Sequence, residues 1–377
     1  MRYTLGRWSL FPVFSVPVQL LLYLVYPIAA LVYLFYHRPK YVKRISYLMP
    51  EKPLEGVSDE EIKSKIDALK VLPNKLRDEF FFDTEDNHNL LMHCHLYQDP
   101  RYFDLVDKAL SLTLDPKSGA ILRKFPLGTH NKVSNDCHSG WLVTWVLAYY
   151  NKSLSNYQYH SIRDSAMKAS WHFLKHCFGV KDVNDSAVSD RDSCGGVNLV
   201  GDGWRGLGWP CGGVYFFTGI AQIAVAVKAA PWYLKPFWEF WYHLYFWTMT
   251  GPWMALAPYL HEHGDDRYFH EHIIMNEIYV LRKMRPWSMW WWISTWWMLR
   301  INQPHKLLIN PWFHALAYDA GSKLVDPEYI KRITLMVEYS ATFQWQKTPL
   351  YPHIIGKGAE SYPASRTSIF YILEKGS

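Results

Sequence analysis

Three copies of one short motif punctuate the sequence: Asp99-Pro100-Arg101-Tyr102-Phe103, Asp265-Asp266-Arg267-Tyr268-Phe269 and Asp326-Pro327-Glu328-Tyr329-Ile330. Each reads as the opening of a helix. An aspartate at the cap accepts a backbone N–H that the first turn leaves unpaired. Proline is tolerated at the first helical position, where its missing N–H costs nothing. The tyrosine that follows is placed to turn inward. Each copy is preceded by a segment rich in His, Leu and Tyr, as stacked helical hairpins joined by short turns would be. Apolar residues recur at helical period from Ser58 onward, and alternating strand-like runs are short. The pattern predicts helices over 87–97, 100–114, 136–151, 158–178, 213–229, 233–249, 268–284, 288–301, 307–320 and 327–343. A further helix opens at Ser58, where Glu61 three residues on completes a capping box. The expectation is an all-α chain of helical hairpins, either a solenoid or a closed α/α toroid.

Ahead of this lies a stretch of a different kind. From Trp8 to Tyr36 there is no charged side chain. That length exceeds the roughly 20 apolar residues a helix needs to cross a bilayer. Arg2 and Arg7 precede it, and Arg38, Lys40, Lys43 and Arg44 follow it. Pro12, Pro17 and Pro27 interrupt it, and an interior proline removes a hydrogen bond and kinks a helix. A kinked span is the leading expectation; a re-entrant hairpin, an interfacial helix and a buried core helix are the alternatives. The run is too long for a signal peptide and lacks a small-residue cleavage site before the basic cluster. The denser positive flank is C-terminal, which favours a cytoplasmic main domain. The expected organisation is an anchor over 1–45, a connector and first helix over 46–84, and a hairpin domain over 85–377 with a Trp-rich insert near 231–301.

Composition narrows the function classes. With 49% hydrophobic and 20% charged residues, most of the chain can bury a core. Aromatic residues make up 17%, with 19 Trp and 26 Tyr. Such side chains suit half-wet places: a membrane interface, or a cleft where rings stack on sugars. The net charge of +6 comes without a Lys/Arg-rich run, which argues against nucleic acid and fits anionic headgroups or an acidic polysaccharide. Five cysteines with no CxxC spacing provide neither a disulfide framework nor a thiolate zinc site.

The order Leu96-Tyr97-Gln98-Asp99-Pro100-Arg101-Tyr102, followed by Asp115-Pro116-Lys117-Ser118-Gly119, resembles the rhythm of the (α/α)-toroid carbohydrate enzymes, the six-hairpin glycosidases and related polysaccharide lyases. Asn310-Pro311-Trp312-Phe313-His314 through Tyr318, followed by Asp326-Pro327-Glu328-Tyr329, repeats it. The resemblance spans about residues 85–345 and is one of helix rhythm. It implies inner helices whose N-termini open on a central cleft. The anchor and the Trp-rich block depart from it.

Two polar clusters stand before apolar helices. The first runs from Thr129 to Trp141. Asp136 is the candidate acid or base there, with His138 catalytic and His130 and Asn135 at the substrate; Ser134 or Asp136 as a mere helix cap is the alternative. The second holds Asp190 and Arg191, then Asp202, Trp204, Arg205 and Trp209 among closely spaced glycines. Asp202 with Asp136 would supply the paired carboxyls of glycoside hydrolysis. Arg191 and Arg205 would grip a substrate carboxylate, and Trp204 and Trp209 would stack on sugar. A loop stitched by Asp–Arg pairs is the structural alternative. No strand precedes the glycines, so a dinucleotide site is excluded. A lyase would instead use Asn135 and His138 with Tyr215 as base. His261, His263, Asp265 and Asp266 could ligate a metal, but no HExxH or facial-triad spacing supports one, and neither a metal nor a cofactor is expected.

The leading expectation is a membrane-associated carbohydrate-active enzyme, hydrolase or lyase, with a glycan or glycan–lipid substrate, the bilayer as partner and self-association possible. A non-catalytic membrane-bound or virion-type structural protein with a toroid shell is one alternative. A lipid-binding or lipid-modifying protein using the Trp-rich block is the other.

Overall fold

The computed structural model describes residues 56–69, 91, 94, 95, 98–122, 135–175, 211–246, 268–286, 315, 318 and 327–338. The Trp8–Tyr36 segment lies outside them, as does the helix expected over 288–301. The described residues are helical, and their one β-feature is an isolated antiparallel bridge between Leu114 and Ile121. Eight helices are named among them: α1 (Asp59–Leu69), α2 (Tyr102–Thr113), α3 (Asn135–Tyr150), α4 (Asn156–Lys175), α5 (Cys211–Ala229), α6 (Lys235–Tyr245), α7 (Tyr268–Met284) and α8 (Pro327–Glu338).

Helices follow all three copies of the motif, and the first begins at Tyr102, two residues later than the motif places it, with no side-chain cap bond at Arg101. Ser58 Oγ accepts the N–H of Glu61 at 3.1 Å and opens α1. At the first repeat, Asp99 Oδ1 accepts the N–H of Arg101 at 2.9 Å, while its other carboxylate oxygen takes the Arg101 guanidinium at 2.6 Å. Tyr102 turns inward, fully buried, and its hydroxyl donates to the Thr144 carbonyl at 3.4 Å. The second and third copies likewise open helices, at Tyr268 and Pro327. The Asp115–Gly119 segment forms a tight turn: Asp115 Oδ2 accepts the Ser118 N–H at 2.6 Å, and its carbonyl accepts the Gly119 N–H at 2.8 Å. Gly119 holds φ +82 against the backbone of Lys168, where a Cβ would come within 2.5 Å of the carbonyl oxygen. Glycine is required there twice over, by the dihedral and by the space.

Helix α5 is the hub: it packs on α3, α4, α6 and α7, and α3 and α7 also meet directly. Its sequence explains the position. From Thr218 to Ala230 it is almost continuously apolar, and all but Lys228 is buried. A helix without a polar face has to be surrounded. The order of contacts fixes the directions. Tyr149 meets Tyr159, Trp145 Nε1 donates to Ser165 Oγ at 3.0 Å, and His138 stacks on Phe173, so α3 and α4 form an antiparallel hairpin. Ser139 pairs with Asn276 near the start of α3, and Tyr150 with the Lys283 carbonyl at its end, so α3 and α7 run the same way. Helix α6 returns from α5 through the turn at 230–234, and its Glu239 meets Arg285 just beyond the end of α7 while Tyr245 lies near Glu277. Helix α6 is therefore antiparallel to both α5 and α7. The result is three inner helices, α3, α5 and α7, parallel to one another, with α4 and α6 running back outside them. Helix α8 packs on α1, and Arg332 bridges Asp59 at 2.8 Å. Among the described residues, no helix is long and apolar enough to cross a membrane.

Candidate functional site

Where the three inner helices meet, the apolar core is broken by a buried polar seam. Helix α5 contributes Thr218 and Gln222, one turn apart on one face. Helix α3 contributes His138 and Ser139, α4 Ser170 and His172, and α7 Asn276 and Glu277, all buried. Burying such groups is costly unless they are hydrogen-bonded, so their pairing is the first question. Asn276 Nδ2 donates to Ser139 Oγ at 3.3 Å. Thr218 Oγ1 donates to Glu277 Oε1 in a short contact. The ring of Tyr245 from α6 covers Gly219, so closely that a Cβ at Gly219 would overlap it. Burial raises the Tyr245 phenol, and the nearby Glu277 carboxylate adds to the shift.

The second half of the seam is a directed chain. Ser170 Oγ donates to the Ala166 carbonyl at 2.7 Å, so it must accept from Gln222 Nε2 at 2.6 Å. That fixes the Gln222 amide and turns its oxygen toward His138 Nε2 at 2.7 Å. His138 therefore carries its proton on Nε2 and leaves Nδ1 as the acceptor nitrogen. Burial lowers the His138 pKa to about 4, against a smaller upward pull from Gln222 and a downward one from His172. The imidazole is neutral at neutral pH, the state a base requires. A second buried imidazole, His95, is also lowered to about 4, by burial first and by Lys283 second.

The parallel run of the inner helices determines what lies beside His138. His138 and Gln222 stand level. Three residues back along α3 is Asn135; the same rise along α5 reaches Gly219, and Tyr215 is one further turn, about 6 Å, beyond. Asn135, Asp136 and Tyr215 thus occupy the opening turns of two parallel, touching helices, at one end of the body. Their side chains lie outside the described residues, as do His130, Asp190, Arg191, Asp202, Trp204, Arg205 and Trp209 altogether. So do His261, His263, Asp265 and Asp266, and no group of three or more metal-ligating side chains occurs among the described residues.

Comparisons with protein-family models, with curated proteins and with solved structures return no match to this chain. What it can do has to be read from its own residues.

Thr218, Gln222, Asn276 and Glu277 were not singled out by sequence reasoning. A signal was present: Thr218 and Gln222 are polar positions four apart inside an otherwise apolar run, and Asn276-Glu277 interrupts another.

A second feature lies on the outside. Trp232 is 81% exposed, Tyr233 63% and Phe240 60%; Phe237 and Trp171 are exposed as well. The rings touch in series: Trp171 meets Phe237 at 5.5 Å, Phe237 meets Trp241 at 6.4 Å and Trp241 meets Phe240 at 6.0 Å. Trp238, between them in sequence, turns inward and is buried. The Trp-rich block thus divides, in its described part, into a core half and a surface half.

Proposed function

We propose that this chain is a membrane-associated carbohydrate-active enzyme, a glycoside hydrolase or polysaccharide lyase, built from α/α hairpins that close toward a toroid. The supporting observation is the parallel alignment of α3, α5 and α7. It brings the openings of α3 and α5 to one end, where the polar clusters of the sequence enter the helices. In this reading Asp136 and Asp202 are the acid/base or nucleophile pair, and the second cluster stands nine residues or fewer ahead of α5 in its later part. A neutral His138, held in one tautomer by Gln222, and Tyr215 serve proton transfer. His130, Asn135 and Asp190 bind hydroxyls, Arg191 and Arg205 bind a carboxylate, and Trp204 and Trp209 stack on the sugar rings. The Trp8–Tyr36 segment holds the enzyme at the bilayer.

The test is incubation of the purified chain with neutral and uronate-containing glycans, reading reducing ends and unsaturated uronates separately. Reducing ends without unsaturation assign a hydrolase; unsaturated uronates assign a lyase. For a hydrolase, Asp136→Asn and Asp202→Asn should each abolish release while leaving the helical content intact; for a lyase, Tyr215→Phe should do so. No product from any glycan, with glycan binding unaltered by Asp136→Asn, would remove the proposal. The exposed aromatic series on α6 favours a second reading, lipid binding, and its placement leads to the next inference.

A further inference from the structure

Five exposed aromatic side chains are gathered on one side of α6 and the adjoining part of α4. Tyr233, Phe237 and Phe240 or Trp241 follow one another at helical spacing, so they form a stripe rather than scattered residues. Trp232 stands beside Tyr233 at 5.9 Å, and Trp171 extends the stripe onto α4. A soluble surface rarely carries so much contiguous aromatic area without a partner. Two observations identify that partner. Lys228 and Lys235 flank the Trp232–Tyr233 turn, both exposed, and neither forms an ion pair among the described residues. The carboxylate on the stripe's own helix, Glu239, is occupied: Arg285 grips it through two hydrogen bonds at 2.5 and 2.8 Å. The surface therefore offers aromatic rings, the Trp and Tyr among them with polar tips, bordered by two exposed lysines without an ion pair among the described residues, and α6 adds no anion beyond Glu239.

We propose that this face is a docking surface for an anionic bilayer, a second membrane contact separate from the N-terminal segment. Tryptophan and tyrosine rings settle at the level of the headgroups, with phenylalanine below them in the acyl region. Lys228 and Lys235 meet the negative surface potential. The proposal rests on the membrane association argued above and on none of the glycan chemistry.

The experiment uses the full chain in vesicles of phosphatidylcholine alone and of phosphatidylcholine with one quarter phosphatidylglycerol. Hydroxyl-radical footprinting read by mass spectrometry reports oxidation of Trp232, Tyr233 and Phe240. Docking predicts at least three-fold less oxidation of these residues in the anionic vesicles. The charge-reversal variant K228E/K235E, altered only at exposed positions, should return them to the level seen in neutral vesicles. Equal oxidation in both vesicle types overturns the proposal. So does protection that survives K228E/K235E, or protection that grows with the number of chains per vesicle, which would assign the face to a second copy. A chain that fails to float with either vesicle removes membrane association itself, whereas flotation without protection removes only this surface. Glycan release is measured separately and is unaffected by either result.

Discussion

Lowering the pH from 7.5 to 5 should destabilise the hairpin body through His138, by an amount the structure allows to be worked out. An imidazole in the unfolded chain titrates near 6.5. In the folded chain burial holds His138 at about 4. The native state disfavours the proton, so the unfolded state binds more protons between these two values. The stabilising contribution is complete above the unfolded pKa and is lost as pH falls through the window from 6.5 to 4. At pH 5 the unfolded imidazole is almost fully protonated and the folded one almost fully neutral. The difference is about 1.5 pH units, or about 2 kcal/mol. At pH 7.5 the same difference is close to zero. Denaturant unfolding of the full chain in mild detergent at the two pH values measures the drop. His138→Gln should show a drop smaller by about 2 kcal/mol, whatever its stability at pH 7.5. His95, lowered in the same direction, leaves a residual dependence in the variant. Equal drops in the two proteins would refute the reasoning. So would a His138 ring resonance that titrates with a midpoint above 6.

Gly119→Ala should cost about 2 kcal/mol or more, because alanine is strained at φ +82 and its Cβ has no room against the Lys168 carbonyl; a loss below about 0.5 kcal/mol by thermal or denaturant unfolding would show that the turn relaxes freely. Thr218→Val removes the hydroxyl that donates to buried Glu277 and should cost about 1–3 kcal/mol. In a Glu277→Gln background the same change should cost measurably less, and a double-mutant cycle without coupling would separate the two residues. Ser58→Ala removes the acceptor of the Glu61 N–H and should destabilise α1 by about 1 kcal/mol, seen as faster amide exchange in its first turn and no change in α3.

The helical framework was legible because its signals are local. Helices follow each copy of the Asp-x-x-Tyr motif, and in the first the Asp99 carboxylate bonds the Arg101 N–H two residues on, a signal confined to a few residues. The expected helix over 100–114 is observed as Tyr102–Thr113, that over 136–151 as Asn135–Tyr150, and that over 213–229 as Cys211–Ala229. The ends expected at 178 for α4 and at 249 for α6 lie outside the described residues. The seam was not legible. Gln222 is an ordinary polar residue until it meets His138, 84 positions earlier, and Ser170, 52 positions earlier. Pairings at such separations leave no trace in periodicity. The direction of the helices was equally hidden, since it depends on where the segments between α4 and α5 and between α6 and α7 bring the chain back. The Trp-rich block was visible as composition, yet only packing separates buried Trp238 from exposed Trp232.

The parallel course of α3, α5 and α7 gives the body an electrical axis. Each helix carries a partial positive charge at its start and a partial negative charge at its end. Three such dipoles point one way, and the returning α4 and α6 offset two of them. The ends of α5 and α7, where negative potential accumulates, carry Lys228, Arg282 and Lys283 in their last turns. Peptide groups thus supply positive potential at the openings of the inner helices, and side chains supply it at their far ends.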